Sequence, residues 1–139
     1  MFDLLLVEKK LQQIIGYLDE LEPLATKMTV EEILDDYLKY HTAERLLQLI
    51  VDTMVDINLH FIRERDWDVP DDFQSTFIIL ADHGVLPRDF AVKIAPVVGL
   101  RDRIIHRYES LNRKQFIEEL KKNYPDFKEY IVMIGNQGK

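Results

Sequence analysis

Between Tyr40 and Ile62 the apolar side chains keep a helical period without interruption. Tyr40, Ala43, Leu47, Ile50, Met54, Ile57 and Phe61 make one stripe, and Leu46, Val51, Val55, Leu59 and Ile62 widen it. A stripe this broad belongs to a helix covered on more than one side, so the chain must supply other helices to cover it. The pattern predicts a helix that starts near Val30, where Thr29 and Glu32 have the spacing of a capping box, and that runs to Arg65, with a candidate break between Tyr37 and His41.

The rest of the chain supplies those helices. Leu4, Val7, Leu11, Ile14, Leu18 and Leu21 alternate steps of three and four, which predicts a first helix over 3–22 closed by Pro23. The stretch 66–70 is a loop. After it Asp71 or Asp72 can cap a short helix carrying Phe73, Phe77 and Leu80 and ending at Gly84. Pro87 suits the first turn of the next helix, and Pro96 should kink or interrupt it. Asn112 can cap a further helix with Phe116, Ile117 and Leu120, and Tyr124-Pro125 should open a last one with Phe127, Tyr130, Ile131 and Ile134. No strand pattern, repeat or glycine-rich phosphate loop occurs. The expectation is a single all-α domain over 1–139, an up-down bundle of about five helices.

Composition narrows the function classes. The absence of cysteine rules out disulfides, thiolate metal sites and a thiol nucleophile. No apolar run approaches the roughly 20 residues that span a bilayer. The N-terminal residues continue in amphipathic register rather than into a cleavage site, so the expectation is a soluble cytoplasmic protein without a membrane partner. The net charge of −7 argues against sequence-blind binding of nucleic acid along the whole surface. It does not argue against a local site. From Gly99 to Lys114 five cations (Arg101, Arg103, Arg107, Arg113, Lys114) face two carboxylates (Asp102, Glu109), a local net of +3. Charge alone fits a phosphate site or a solvated helix face.

Within that stretch one residue breaks the rule. Phe90, Ile94, Val97, Ile104 and Tyr108 follow one apolar stripe, and Arg101 stands where the stripe calls for an apolar side chain. A guanidinium on a buried stripe needs a partner, either a structural carboxylate or a ligand in a cleft. His106 sits five residues on, about 140° around an ideal helix from Arg101, so one straight helix does not join them well. Two copies of the helix related by a two-fold axis can bring Arg101 of one copy to His106 of the other. Asp102, one turn before His106, is placed to hydrogen-bond the imidazole and fix its tautomer. An arginine and a histidine suffice for metal-independent cleavage of RNA: His106 moves the proton of the ribose 2′-hydroxyl or of the leaving oxygen, and Arg101 holds the phosphate.

The spacing Arg101-x4-His106-x-Tyr108 resembles the R-x4-H-x-Y signature of HepT-type toxins of the HEPN superfamily, and 99–108 is similar to that family's local pattern almost position by position. The likeness extends to 43–46 and 56–60 of the long helix and to the order of helices along the chain. Two positions depart from the pattern: Asp102 stands where Asn is more usual, and Pro96 disturbs the approach. The resemblance implies a HEPN-like bundle that dimerises through the motif helix, and a homodimeric endoribonuclease with no cofactor. It further implies a toxin paired with an MntA-like nucleotidyltransferase antitoxin that transfers AMP to the motif tyrosine, here Tyr108. A phosphate on Tyr108 would add negative charge on the face of Arg101, where substrate phosphate must sit. Arg103 and Arg107, one turn apart, are candidate contacts to RNA or to the antitoxin. The alternative is a non-catalytic helical dimer that binds nucleotide or scaffolds a nucleotidyltransferase.

His41, His60 and His83 lack the i, i+3 or i, i+4 pairing of a helical metal site, so no metal is expected. His60, Asp56 and Asn58 either line the groove opposite the Arg101 helix or form a polar patch on the long helix. Trp67 and the acidic loop Asp66, Asp68, Asp71 and Asp72 are either an ordinary turn or a partner contact.

Overall fold

A computed structural model describes residues 1–106 and 111–138. Among them the regular structure is helical and no strand occurs, as the apolar periods require. Seven α-helices follow one another: α1 (Leu4–Glu22), α2 (Val30–Leu34), α3 (Tyr37–Glu64), α4 (Ser75–Asp82), α5 (Arg88–Ile94), α6 (Val97–His106) and α7 (Arg113–Gly135). No helix among the described residues is long and apolar enough to cross a membrane.

The three long helices carry the core. At its start α1 meets the end of α3, where Asp3 N donates to His60 Nε2 at 2.9 Å, and further along Lys10 Nζ reaches Asp56 at 3.4 Å, so the two run antiparallel. On the other flank Tyr40 packs edge-on to Phe116 while Tyr130 reaches Met54 and Asn58, so α7 runs parallel to α3. Ile14, Leu47, Ile50, Met54, Ile57, Phe116, Phe127 and Tyr130 are fully buried between them. Buried apolar area at this density is the main source of stability for such a bundle.

The start signals work where a side chain can serve the first turn. Asp3 accepts from Leu6 N at 3.0 Å, and Thr29 and Glu32 complete the capping box with bonds of 3.1 and 2.9 Å. Asp36 accepts from Lys39 N at 3.2 Å and restarts the chain as α3, so the break falls just ahead of Tyr37 and makes α2 a separate single turn. The proline rules fare unevenly. Pro96 does separate α5 from α6. Pro23 ends α1 as its C-cap, and the chain goes on as a π-turn over Pro23–Lys27, closed by Met28 N donating to Pro23 O at 3.1 Å. Lys121 of α7 caps that turn, donating to Leu24 O, Ala25 O and Met28 O. Pro125 does not open a new helix, because α7 is continuous through it. Tyr124, Phe127, Tyr130 and Ile134 prolong the buried face of Phe116, Ile117 and Leu120, and that packing outweighs the one backbone bond Pro125 removes.

A buried polar chain ties α3, α4 and α7 together. Asn58 and Thr76 have no exposure; Asn58 Nδ2 donates to Thr76 Oγ1 at 3.1 Å, and Tyr130 OH lies 2.7 Å from Asn58 Oδ1. Phe73, expected in the core beside Phe77 and Leu80, lies outside α4 and is 50% exposed, whereas the other two are fully buried. Gly84 ends α4 at a φ of 78°, the left-handed conformation that glycine adopts without strain.

Candidate active site

The break at Ala95–Pro96 releases α6 from the direction of α5 and lays it against α3. Val97, Val98 and Leu100 anchor its first turn in the core, which leaves Arg101 at the margin of the packed region with its side chain 20% exposed. The partner required of a cation on that stripe is present. Arg101 Nε donates to Asp52 Oδ1 of α3 at 2.7 Å, and Nη1 donates to Asp102 Oδ1 at 3.2 Å. Partial burial opposes the charged guanidinium, but the hydrogen bonds and charges of Asp52 and Asp102 outweigh it and raise the Arg101 pKa above its ordinary value. The cation is therefore permanent. Two carboxylates on different helices fix its plane, and Nη2 has no hydrogen-bond partner among the described residues.

His106 is the last residue of α6, exposed, and without a hydrogen-bond or ion-pair partner among the described residues. Asp102, expected to orient this ring, instead turns its carboxylate to Arg101. Arg101, Asp102 and His106 nevertheless border one open cleft of about 480 Å³, together with Val98 and with the segment Asp71, Asp72, Phe73 and Gln74 as its other wall. A single chain thus places both motif side chains on one cleft, although an ideal helix sets them far apart in angle.

Two residues of the stretch answer differently. Arg103 points away from this cleft and pairs with Glu119 of α7 at 2.8 Å, a contact that holds α6 to α7. Arg107 and Tyr108 lie outside the described residues. Of the polar residues weighed on α3, none reaches the cleft: Asp56 pairs with Lys10, Asn58 belongs to the buried network, and His60 accepts from Asp3. His41 is paired with Glu44 at 2.7 Å, and His83 stacks on Trp67 at 4.0 Å between ring centres. Among the described residues no group of three or more His, Cys, Asp or Glu is disposed to hold a metal ion. Sequence reasoning missed Asp52 and the wall at 71–74. The demand for a carboxylate opposite Arg101 was legible, but no feature of the long helix singles Asp52 out from its other carboxylates.

Comparison with known proteins adds four findings. The family profile described as Ribonuclease HepT-like matches residues 14–134. The chain is 28% identical over 131 residues to the tRNA nuclease HepT of Aphanizomenon flos-aquae, covering 94% of this chain and 88% of that protein. It is 25% identical over 88 residues to the mRNA nuclease HepT of Shewanella oneidensis, covering 63% of this chain and 66% of that protein. Among solved structures, the tri-AMPylated HEPN toxin of Shewanella oneidensis in complex with an MNT antitoxin superposes with a TM-score of 0.84 at 19% identity, over 94% of this chain and 97% of that one. This last likeness is one of fold.

Proposed function

Since the chain belongs to the HepT-like ribonuclease family, we propose that it is the ribonuclease toxin of a toxin–antitoxin pair, cutting RNA at the cleft between α6 and the 71–74 segment. The observation that carries this reading is that Arg101 and His106 both line that cleft, with one guanidinium nitrogen unpaired among the described residues.

The chemistry needs no group beyond these. His106 takes the proton of a ribose 2′-hydroxyl as its oxygen attacks the neighbouring phosphorus; the new O2′–P bond forms as the bond from phosphorus to the 5′-oxygen breaks. Arg101 Nη2 donates to the non-bridging oxygens, whose negative charge grows in the transition state. The leaving 5′-oxygen takes a proton from a second imidazole, and the products carry a 2′,3′-cyclic phosphate and a 5′-hydroxyl. A homodimer formed through α6 supplies that second His106, and it brings Arg101 of one copy toward His106 of the other. Asp102 acts through Arg101, which it orients. The mechanism needs no metal or cofactor because base, acid and charge all come from side chains.

Regulation falls to Tyr108. Two residues past His106, it is the acceptor of AMP from an MntA-like nucleotidyltransferase, and the added phosphate competes with substrate for Arg101. Arg107 is a contact for RNA or for that antitoxin; the pairing of Arg103 with Glu119 leaves Arg103 the weaker candidate. The other reading, a non-catalytic dimer that scaffolds the nucleotidyltransferase, draws support from the carboxylates at Asp52, Asp71, Asp72 and Asp102 around one cation.

End-group analysis separates them. Purified protein incubated with RNA in EDTA should release fragments ending in 2′,3′-cyclic phosphate; no release, together with tight nucleotidyltransferase binding, would select the scaffold. Intact mass after incubation with the partner and ATP should rise by AMP units in the wild type and not in Tyr108→Phe.

A further inference from the structure

Phe73 is an aromatic ring left half in water, whereas Phe77 and Leu80, the next apolar positions of its stripe, are fully buried. Its position is not slack. Phe73 O accepts from Thr76 N at 3.2 Å and from Thr76 Oγ1 at 2.6 Å, and Thr76 is held by the fully buried Asn58. On its other side Asp72 is locked to Ser75, with Ser75 N donating to Asp72 Oδ1 at 2.7 Å and Ser75 Oγ to Asp72 O at 2.8 Å. A fixed backbone therefore presents the ring to the cleft that Arg101 and His106 border.

The two walls of that cleft differ in charge. Arg101 and His106 stand on α6, while the other wall carries Asp71, Asp72, Phe73 and Gln74 and no cation among the described residues. Phosphate is repelled from the second wall and attracted to the first. An uncharged aromatic ring with N–H donors fits the second wall, stacking on Phe73 and donating to the carboxylates or to the Gln74 amide.

We propose that Phe73 is the stacking platform for an unpaired nucleobase adjoining the phosphate held by Arg101, which makes the cleft a nucleotide subsite and selects single-stranded RNA. The proposal deepens the ribonuclease reading and rests on it. Stacking is indifferent to the identity of the base, so Phe73 sets the requirement for an unpaired base, and the polar groups beside it set any preference among bases.

Two measurements test it. Binding of a single-stranded oligoribonucleotide containing 2-aminopurine should quench the probe with wild type and with Phe73→Trp; Phe73→Ala should weaken binding about tenfold or more and lose the quench. Cleavage of the same strand, and of one abasic beside the cut phosphate, gives the second readout. Phe73→Ala should raise KM about tenfold on the intact strand and leave the abasic strand unchanged. Equal binding by wild type and Phe73→Ala, or an equal loss on both strands, would overturn the proposal. So would unchanged cleavage by Phe73→Ala with loss of the antitoxin complex, which would assign the ring to a protein contact. If the wild type quenches the probe without cutting, the ribonuclease reading fails while the stacking site stands.

Discussion

Arg101 of α6 and Asp52 of α3 are joined by a 2.7 Å hydrogen bond from Nε to Oδ1, across 49 residues of sequence. With Nε given to Asp52 and Nη1 to Asp102, Nη2 is the guanidinium nitrogen without a partner among the described residues.

Removing Asp52 should therefore loosen the cation without removing it. Asp52→Ala is expected to slow RNA cleavage about tenfold, against about 10²-fold or more for Arg101→Ala, since one variant loses orientation and the other the charge. The pair is partly exposed, so breaking it should change unfolding free energy by less than about 1 kcal/mol. Cleavage rates and denaturant melts of the two variants check both statements. Arg101→Lys should not restore activity, because an ammonium cannot hold Asp52 and Asp102 and still offer a fixed third donor.

The Asn58 network should behave in the opposite way, with a large effect on stability. Asn58→Ala leaves a buried cavity and takes one partner each from the Thr76 hydroxyl, which keeps Phe73 O, and the Tyr130 phenol, which keeps Met54 O, and the expected loss is about 2–4 kcal/mol in chemical denaturation. Thr76→Val, which removes one member and keeps the shape, should cost less.

Tyr130 gives the fold an alkaline limit. Burial raises its pKa well above the ordinary tyrosine value, so the folded state favours the neutral phenol. Its contribution is fully present below about pH 10, where the unfolded chain titrates, and falls as pH rises toward the raised folded value. Denaturation followed from pH 8 upward should show stability dropping above pH 10 in the wild type. Tyr130→Phe should start lower by about 1 kcal/mol, for the lost hydrogen bond, and decline less steeply.

How far the chain explains itself differs from residue to residue. The bundle was legible because its signals are local: the wide stripe of α3, the Thr29–Glu32 capping box and the interruption at Pro96 each act within one or two turns. Arg101 was legible as a charge on an apolar stripe, whereas Asp52 was not, since nothing within α3 distinguishes it from other surface carboxylates until α6 is laid beside it. Pro125 misled because its local cost is overridden by the buried face of α7, and the π-turn that follows Pro23 was not legible because Lys121, which caps it, comes from α7. Phe73 fits the register of a buried stripe, but α4 begins at Ser75, and a residue ahead of the first turn does not inherit the helix's inward face.

The central claim is that Arg101 and His106 act together on one phosphate. It is tested most directly by the initial rate of single-stranded RNA cleavage in EDTA for the wild type, Arg101→Ala and His106→Ala, with melting curves run alongside. The wild type should cleave, and each variant should fall by about 10²-fold or more with little change in melting temperature. Cleavage by His106→Ala at the wild-type rate would contradict it.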